Sequence, residues 1–220
     1  MRKIVVQTFA TLDSVMQAPG GAGEDPSGGF AHEGWSVNYW DEYMGRRMAE
    51  SLAEPYDLLL GRKTYNIFAN YWPRADDPVI TPKFNAAIKY VATSSPETLA
   101  WENTVALTGD VAEAVAKLKQ GDGPTLSVQG SSQLVQALLA NDLVDEFNLW
   151  IFPLVLGEGK RLFGPGAHLL GLDLVDSTTS STGVQLNRYR AAAPREPGTF
   201  AKKDLPVGET PEQLAREPAS

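Results

Sequence analysis

The sequence predicts an α/β fold, a three-layer arrangement with a mostly parallel central sheet and an antiparallel C-terminal edge. Three observations carry this. Short β-branched runs recur along most of the chain, amphipathic helical segments fall between them, and the last two apolar runs, 169–175 and 184–191, are joined by the polar stretch 176–183.

The elements follow in order. Residues 3–9 (KIVVQTF) have the composition of a buried strand, and 57–60 (DLLL) form another that ends at Gly61. Between them, Tyr43, Met44, Arg47, Met48, Ser51 and Leu52 mix an apolar stripe with charge and predict a helix. A second helix continues from Thr64, its candidate cap, through Tyr65, Ile67 and Phe68. Residues 89–93 (KYVAT), 125–129 (TLSVQ) and 146–152 (EFNLWIF) read as further strands. The segment 110–119 (DVAEAVAKLK) opens on a D-x-x-E cap and puts Val111, Val115 and Leu118 on one side. After the break at Gly130, Ser131 and Ser132, the residues Leu134, Val135, Leu138 and Leu139 again share a helical face.

Two stretches escape this alternation. Residues 16–40 are too long for a simple connector, and loops of that length are often lids or binding loops; Phe30, Trp35, Tyr39 and Trp40 are costly to leave in water, so part of it packs down. From residue 192 prolines and scattered charge predict an extended, partly disordered tail over 192–220, with Phe200 and Leu205 as its anchors; 1–191 is the folded domain.

Composition narrows the function. With 220 residues, 43% of them hydrophobic, the chain can bury one sizeable core. A net charge of -8 disfavours nucleic acid and anionic membranes as partners. The absence of cysteine excludes disulfides, thiolate zinc sites and thiol nucleophiles, and His32 and His168 have no ligand spacing, so no metal is expected. The N-terminal apolar run is too short for a signal peptide and no segment is long enough to span a bilayer, which makes the cytoplasm the expected location.

Four clusters follow apolar strands, at expected carboxyl ends where ligands of such sheets collect: Thr11 to Asp13, Gly61 to Thr64, Thr93 to Ser95, and Gly130 to Ser132. Gly61 permits close backbone approach and Arg62 and Lys63 suit a phosphate, a 2′-phosphate among them; the pair also reads as a solvated charge cluster. Thr93, Ser94 and Ser95 offer hydroxyls to a ribose or phosphate, or form a plain turn before Pro96. Ser131, Ser132 and Gln133 open a helix whose free N–H groups suit a pyrophosphate, or serve as an ordinary cap. Asp13, directly after the first strand, is the candidate proton donor or substrate anchor, with a carboxyl pKa raised by partial burial. Asp41 is a weaker candidate, since acids at a helix start are favoured by the dipole alone.

The ordered motifs Thr11-Leu12-Asp13, 58–65 (LLLGRKTY), 128–132 (VQGSS), 143–146 (LVDE) and 153–163 (PLVLGEGKRLF) resemble the dihydrofolate reductase superfamily, in the bacterial branch that includes the reductase domain of the riboflavin-biosynthesis deaminase-reductase. The resemblance implies NADPH bound across the strand ends and a hydride passed to a small heterocyclic or carbonyl substrate. It assigns phosphate and adenosine ribose to Gly61, Arg62, Lys63 and Thr64, further cofactor contacts to Thr93, Ser94 and Ser95, and the pyrophosphate to Gly130, Ser131, Ser132 and Gln133. The segment of Pro153, Leu156, Gly157 and Gly159 would border the nicotinamide or a homodimer interface. The chain departs from the family pattern at Ser14 and Ser131, where relatives usually carry glycine, and at Gln129, where the riboflavin enzymes carry an acid. Two alternatives stand beside this: a non-catalytic nucleotide-binding or interaction protein on the same scaffold, and a flavin-binding reductase using the aromatic residues of the 16–40 loop.

Overall fold

A computed structural model describes residues 1–164, 167–200 and 208. The strands are β1 (Ile4–Thr11), β2 (Tyr56–Gly61), β3 (Lys89–Ala92), β4 (Thr104–Leu107), β5 (Thr125–Val128), β6 (Glu146–Phe152), β7 (Gly171–Thr179) and β8 (Gln185–Ala192). The helices are α1 (Glu42–Ser51), α2 (Arg62–Tyr71), α3 (Ile80–Ala86), α4 (Val111–Gln120) and α5 (Ser132–Leu139). One sheet holds all eight strands in the order β4-β3-β2-β5-β1-β6-β8-β7. The first six are mutually parallel, and β8 and β7 run antiparallel at the edge.

Side chains alternate across this sheet, so each face has its own core. On one face Ile4, Val6, Leu59, Leu126 and Val128 pack under Val115 of α4 and under Leu134, Val135, Leu138 and Leu139 of α5. On the other face α1 covers an aromatic cluster around Trp150 and Phe152, while Tyr65 of α2 and Phe84 of α3 sit on Leu58, Leu60 and Val91. The D-x-x-E cap forms as expected, with the Glu113 N–H donating to the Asp110 carboxylate at 3.0 Å. Asp145 accepts from the Ile4 N–H and from Lys119, each at 2.8 Å, and so fixes the start of β1 against α4.

The hairpin differs from expectation. Residues 176–179, expected in the connector, belong to β7, and the turn is confined to 180–183. An edge strand with one side in water accommodates polar residues, and a register shift between Leu174 and Asp176 re-aims them. The short elements α3 and β4 are additional; a seven-residue helix with Pro82 in its first turn and a four-residue strand carry little periodic signal. Of the proline-rich tail, Phe200 is fully exposed and so packs on none of the described residues, while Leu205 lies outside them. Among the described residues no helix is long and apolar enough to cross a membrane.

The long 16–40 loop is tied down. Phe30 and Trp35 are buried in the aromatic cluster, and the Trp35 indole N–H donates to the Gln17 carbonyl at 2.7 Å. Its fastening is Asp25, a buried carboxylate that binds Lys160 at 2.6 Å, Lys63 at 2.5 Å and the Ser27 hydroxyl at 2.6 Å. Burial raises the Asp25 pKa, but hydrogen bonds from Lys160, Lys63 and Ser27 outweigh it and hold the carboxyl well below the usual range.

Two outcomes are expected. Leu138→Ala should cost about 2–5 kcal/mol in urea unfolding, because it opens a cavity under α5, whereas Leu12→Ala, at a side chain 63% exposed, should stay within about 0.5 kcal/mol. Because the Asp25 pKa is depressed in the folded state, its contribution is complete above the unfolded carboxyl value of about 4 and is lost as pH falls through the folded one. Unfolding titrations below about pH 4 should therefore show a shallower acid loss in Asp25→Asn than in the wild type.

Candidate functional site

Strands β2 and β5 lie side by side, yet their connections diverge. The chain leaves β2 through α2 on one face and travels outward to β3; it leaves β5 through α5 on the other face and travels across β1 to β6. Such a reversal opens a crevice beyond the carboxyl ends of the two strands, which is where ligands of open α/β sheets bind. Both helices begin at the strand ends, α2 after Gly61 and α5 after Ser131, and neither cap residue supplies a side-chain hydrogen bond. The first-turn N–H groups of two helices, Thr64 and Gln133 among them, are thus left for a ligand or water. Thr64 stands inside the first turn of α2 and is not its cap, which is Gly61.

The two helix starts touch. A Cβ on Gly61 would lie 2.0 Å from Ser131 Oγ and 2.7 Å from Ser131 Cβ, so no other residue fits at 61 while Ser131 keeps its position. Ser131 itself has φ 77°, a left-handed conformation that a residue with a Cβ adopts at a cost of about 1–2 kcal/mol. Ser14, the other serine at a position where the resemblance leads one to expect glycine, has φ 65°. At both positions the backbone takes a conformation that favours glycine although the residue carries a Cβ.

Arg62 extends this unit to a third strand end. Its guanidinium donates to Thr93 Oγ1 at 3.0 Å and to the Ser95 carbonyl at 2.9 Å, and also bonds Asn66 and Thr98. The turn of Thr93, Ser94 and Ser95 is thereby held against the start of α2. Sequence reasoning grouped Lys63 with Arg62, but Lys63 points away to Asp25, whose carboxylate raises its pKa. Nothing local to residue 25 announces this, since its two lysine partners lie 38 and 135 positions along the chain.

The two carboxylate candidates are already engaged. Asp13 accepts from Thr11 Oγ1 at 2.5 Å, from the Gly157 N–H at 2.8 Å and the Leu156 N–H at 3.2 Å, and it pairs with Arg161 at 3.3 Å. Burial raises its pKa, but the Thr11 hydroxyl and the Gly157 and Leu156 amides prevail and hold it at about 2. The expected raised pKa is therefore reversed: Asp13 is ionised at neutral pH and fastens the Leu156-Gly157 turn to the end of β1. Asp41 caps α1 by accepting from the Met44 N–H at 2.8 Å, and its second oxygen accepts from the Ser181 hydroxyl at 2.6 Å. Hydrogen bonds from Ser181 and from the Met44 amide lower its pKa, as a helix-capping acid requires.

The segment of Pro153 to Gly159 wraps around the Asp13 turn. Pro153 is exposed, Leu156 is half-buried against the aromatic cluster, and Gly157 accepts from Arg161 through its carbonyl at 2.7 Å. Gly159 sits so close to Phe30 and Val15 that a Cβ would approach each to 2.8 Å.

Comparison with known proteins identifies the family and the fold. The family model described as the RibD C-terminal domain matches residues 2–186. The uncharacterized protein YyaP of Bacillus subtilis strain 168 is 28% identical over 187 residues, covering 83% of this chain and 92% of its own. A Shewanella sp. PV-4 protein named for riboflavin biosynthesis shares the fold with a TM-score of 0.59 at 18% identity, over 87% of this chain and 99% of its own. Dihydrofolate reductase from Enterococcus faecalis, solved with NADP(H) and RAB-propyl, does so with a TM-score of 0.54 at 13% identity, over 87% and 97%. The fold is that of dihydrofolate reductase, and the chain belongs to the RibD C-terminal domain family.

Proposed function

We propose that this protein is an NADPH-dependent reductase acting on a small heterocyclic or carbonyl substrate. The observation that carries the reading is the abutment of Ser131 on Gly61, which brings the N-termini of α2 and α5 to one crevice. Two helix N-termini add partial positive charge and unpaired N–H groups, and Arg62 adds a full charge, a combination suited to a dinucleotide's phosphates. In this reading Gly130, Ser131, Ser132 and Gln133 hold the pyrophosphate. Gly61, Arg62 and Thr64 hold the 2′-phosphate and adenosine ribose, with the Thr93 turn beside them. Lys63 acts at one remove, through Asp25. When bound, NADPH supplies the hydride; the chain's own part is to bind and orient the cofactor at the strand ends.

One observation favours the alternative of a binding protein without turnover: Asp13 and Asp41 are both committed to structural hydrogen bonds. In the reductase reading the proton comes from water or from the substrate's own exchangeable groups. A screen of unsaturated heterocycles and carbonyl compounds that follows NADPH absorbance separates the two, since the alternative predicts binding without consumption.

Calorimetry should detect NADPH binding at sub-millimolar concentration, and its absence would remove the proposal. Arg62→Ala should weaken NADPH by about 1–3 kcal/mol and NADH by less; equal losses would contradict the 2′-phosphate assignment. Gly61→Ala should lower NADPH affinity at least tenfold, about 1.4 kcal/mol, by forcing Ser131 aside. The double variant Gly61→Ala/Ser131→Gly should recover part of that loss, because it removes the colliding side chain. No recovery would mean that the contact does not organise the site.

A further inference from the structure

The loop that follows β1 and the glycine-rich segment that follows β6 are joined into one unit. Residues 14–16 run antiparallel to 160–162: the Met16 N–H donates to the Lys160 carbonyl and the Leu162 N–H to the Ser14 carbonyl, each at 2.8 Å, and Val15 bridges Arg161. The buried Gln17 extends this seam. Its Oε1 accepts from the Lys160 N–H at 2.9 Å, while its Nε2 donates to the carbonyls of Asp25 at 2.8 Å and Ser27 at 2.9 Å. The Lys160 ammonium closes the circuit on the Asp25 carboxylate at 2.6 Å and on Ser27 Oγ at 2.9 Å.

This unit reaches both helix starts of the crevice. At α5 it does so by packing, since Met16 Cε lies 3.5 Å from where a Cβ of Gly130 would stand. At α2 it does so by charge, through Asp25 and Lys63. The buried carboxylate carries one lysine on each oxygen, Lys63 on Oδ1 and Lys160 on Oδ2, so the fork of a single side chain spaces α2 from the glycine-rich segment. The start of α2 thus has two neighbouring cations drawn to opposite sides, Arg62 to the Thr93 turn after β3 and Lys63 to the loop. The strand order β3-β2-β5-β1-β6 puts the Thr93 turn at one end of this stretch and the unit, which follows β1 and β6, at the other. A dinucleotide whose phosphates sit between the starts of α2 and α5, and whose adenosine half extends toward β3, sends its other half toward β1 and β6. There it meets this unit, in a gap whose width Asp25 holds.

We propose that Asp25 is a positioning residue for the hydride-donating half of the cofactor, clamping Lys63 to Lys160 so that the glycine-rich segment stands at the distance that half requires. The inference rests on the reductase reading of the crevice and deepens it. Asp25 touches neither cofactor nor substrate in this account; it acts through the two lysines. The gain is orientational, because a half-cofactor held in one geometry has lost its freedom before the reaction begins. The adenosine half is held independently, by the start of α2 and by the Thr93 turn that Arg62 fixes.

Calorimetry on the full chain with NADPH and with adenosine 2′,5′-bisphosphate, the phosphate-bearing half alone, tests this. Asp25→Asn should weaken NADPH about tenfold and leave the bisphosphate within about twofold. Lys63→Met should show the same selectivity, and the double variant should lose no more than Asp25→Asn, because both substitutions cut one tie. A mere change of charge near the phosphates gives a different pattern: it moves the two ligands together, and in opposite directions for loss of an anion and loss of a cation. Lys63→Met leaves Asp25 paired with Lys160 and Ser27, so it serves if Asp25→Asn does not fold. Equal effects on the two ligands, or additive losses in the double variant, would overturn the inference and leave the reductase reading in place. A wild type that binds neither ligand would remove that reading, and the inference with it.

Discussion

The arrangement of the candidate site depends on one close contact, the Ser131 side chain against a residue with no Cβ at position 61. Because β2 and β5 are hydrogen-bonded neighbours whose helices leave to opposite faces, their ends would splay if either turn were bulky. Glycine at 61 lets them close, and the left-handed turn at Gly130 and Ser131 aims α5 back over the sheet. Arg62 then ties the third strand end to the same point through Thr93 and Ser95. The strain stored at Ser131 is offset by the packing of α5, in which Leu134, Val135, Leu138 and Leu139 are all buried.

Three acids near this end serve the architecture. Asp13 holds the glycine-rich segment after β6 to the end of β1, Asp25 holds the long loop to α2 and to Lys160, and Asp41 joins α1 to the β7–β8 turn. Each carboxylate is stabilised as an anion by amides, hydroxyls or lysines, and none of the three is a proton reservoir at neutral pH. What remains toward the crevice is positive at the helix starts.

Much of the frame was legible in the sequence because it rests on local periodicity. The alternation of runs such as KIVVQTF and DLLL with the stripe of Leu134, Val135, Leu138 and Leu139 is enough to order strands and helices, and Asp110 with Glu113 marks the start of α4. The turns of the candidate site were visible as glycine and hydroxyl clusters after strands. What escaped was set by distance along the chain. The Asp25 hub reaches lysines 38 and 135 positions along the chain, and the Asp13 pKa is lowered by the neighbouring Thr11 hydroxyl together with amides 143 and 144 positions away. The short β4 and α3 gave too few residues for a period to show.

The central claim is that α2 and α5 together form one dinucleotide phosphate site at the β2–β5 divergence. It is tested most directly by following backbone amide resonances as NADPH is added to the intact chain. The account predicts that the amides of Arg62, Lys63 and Thr64 and those of Ser132, Gln133 and Leu134 shift in parallel, with a single dissociation constant. Shifts confined to one helix start, or gathered instead around the surface hollow formed by Leu139, His168 and Leu170 at the other end of the sheet, would contradict it.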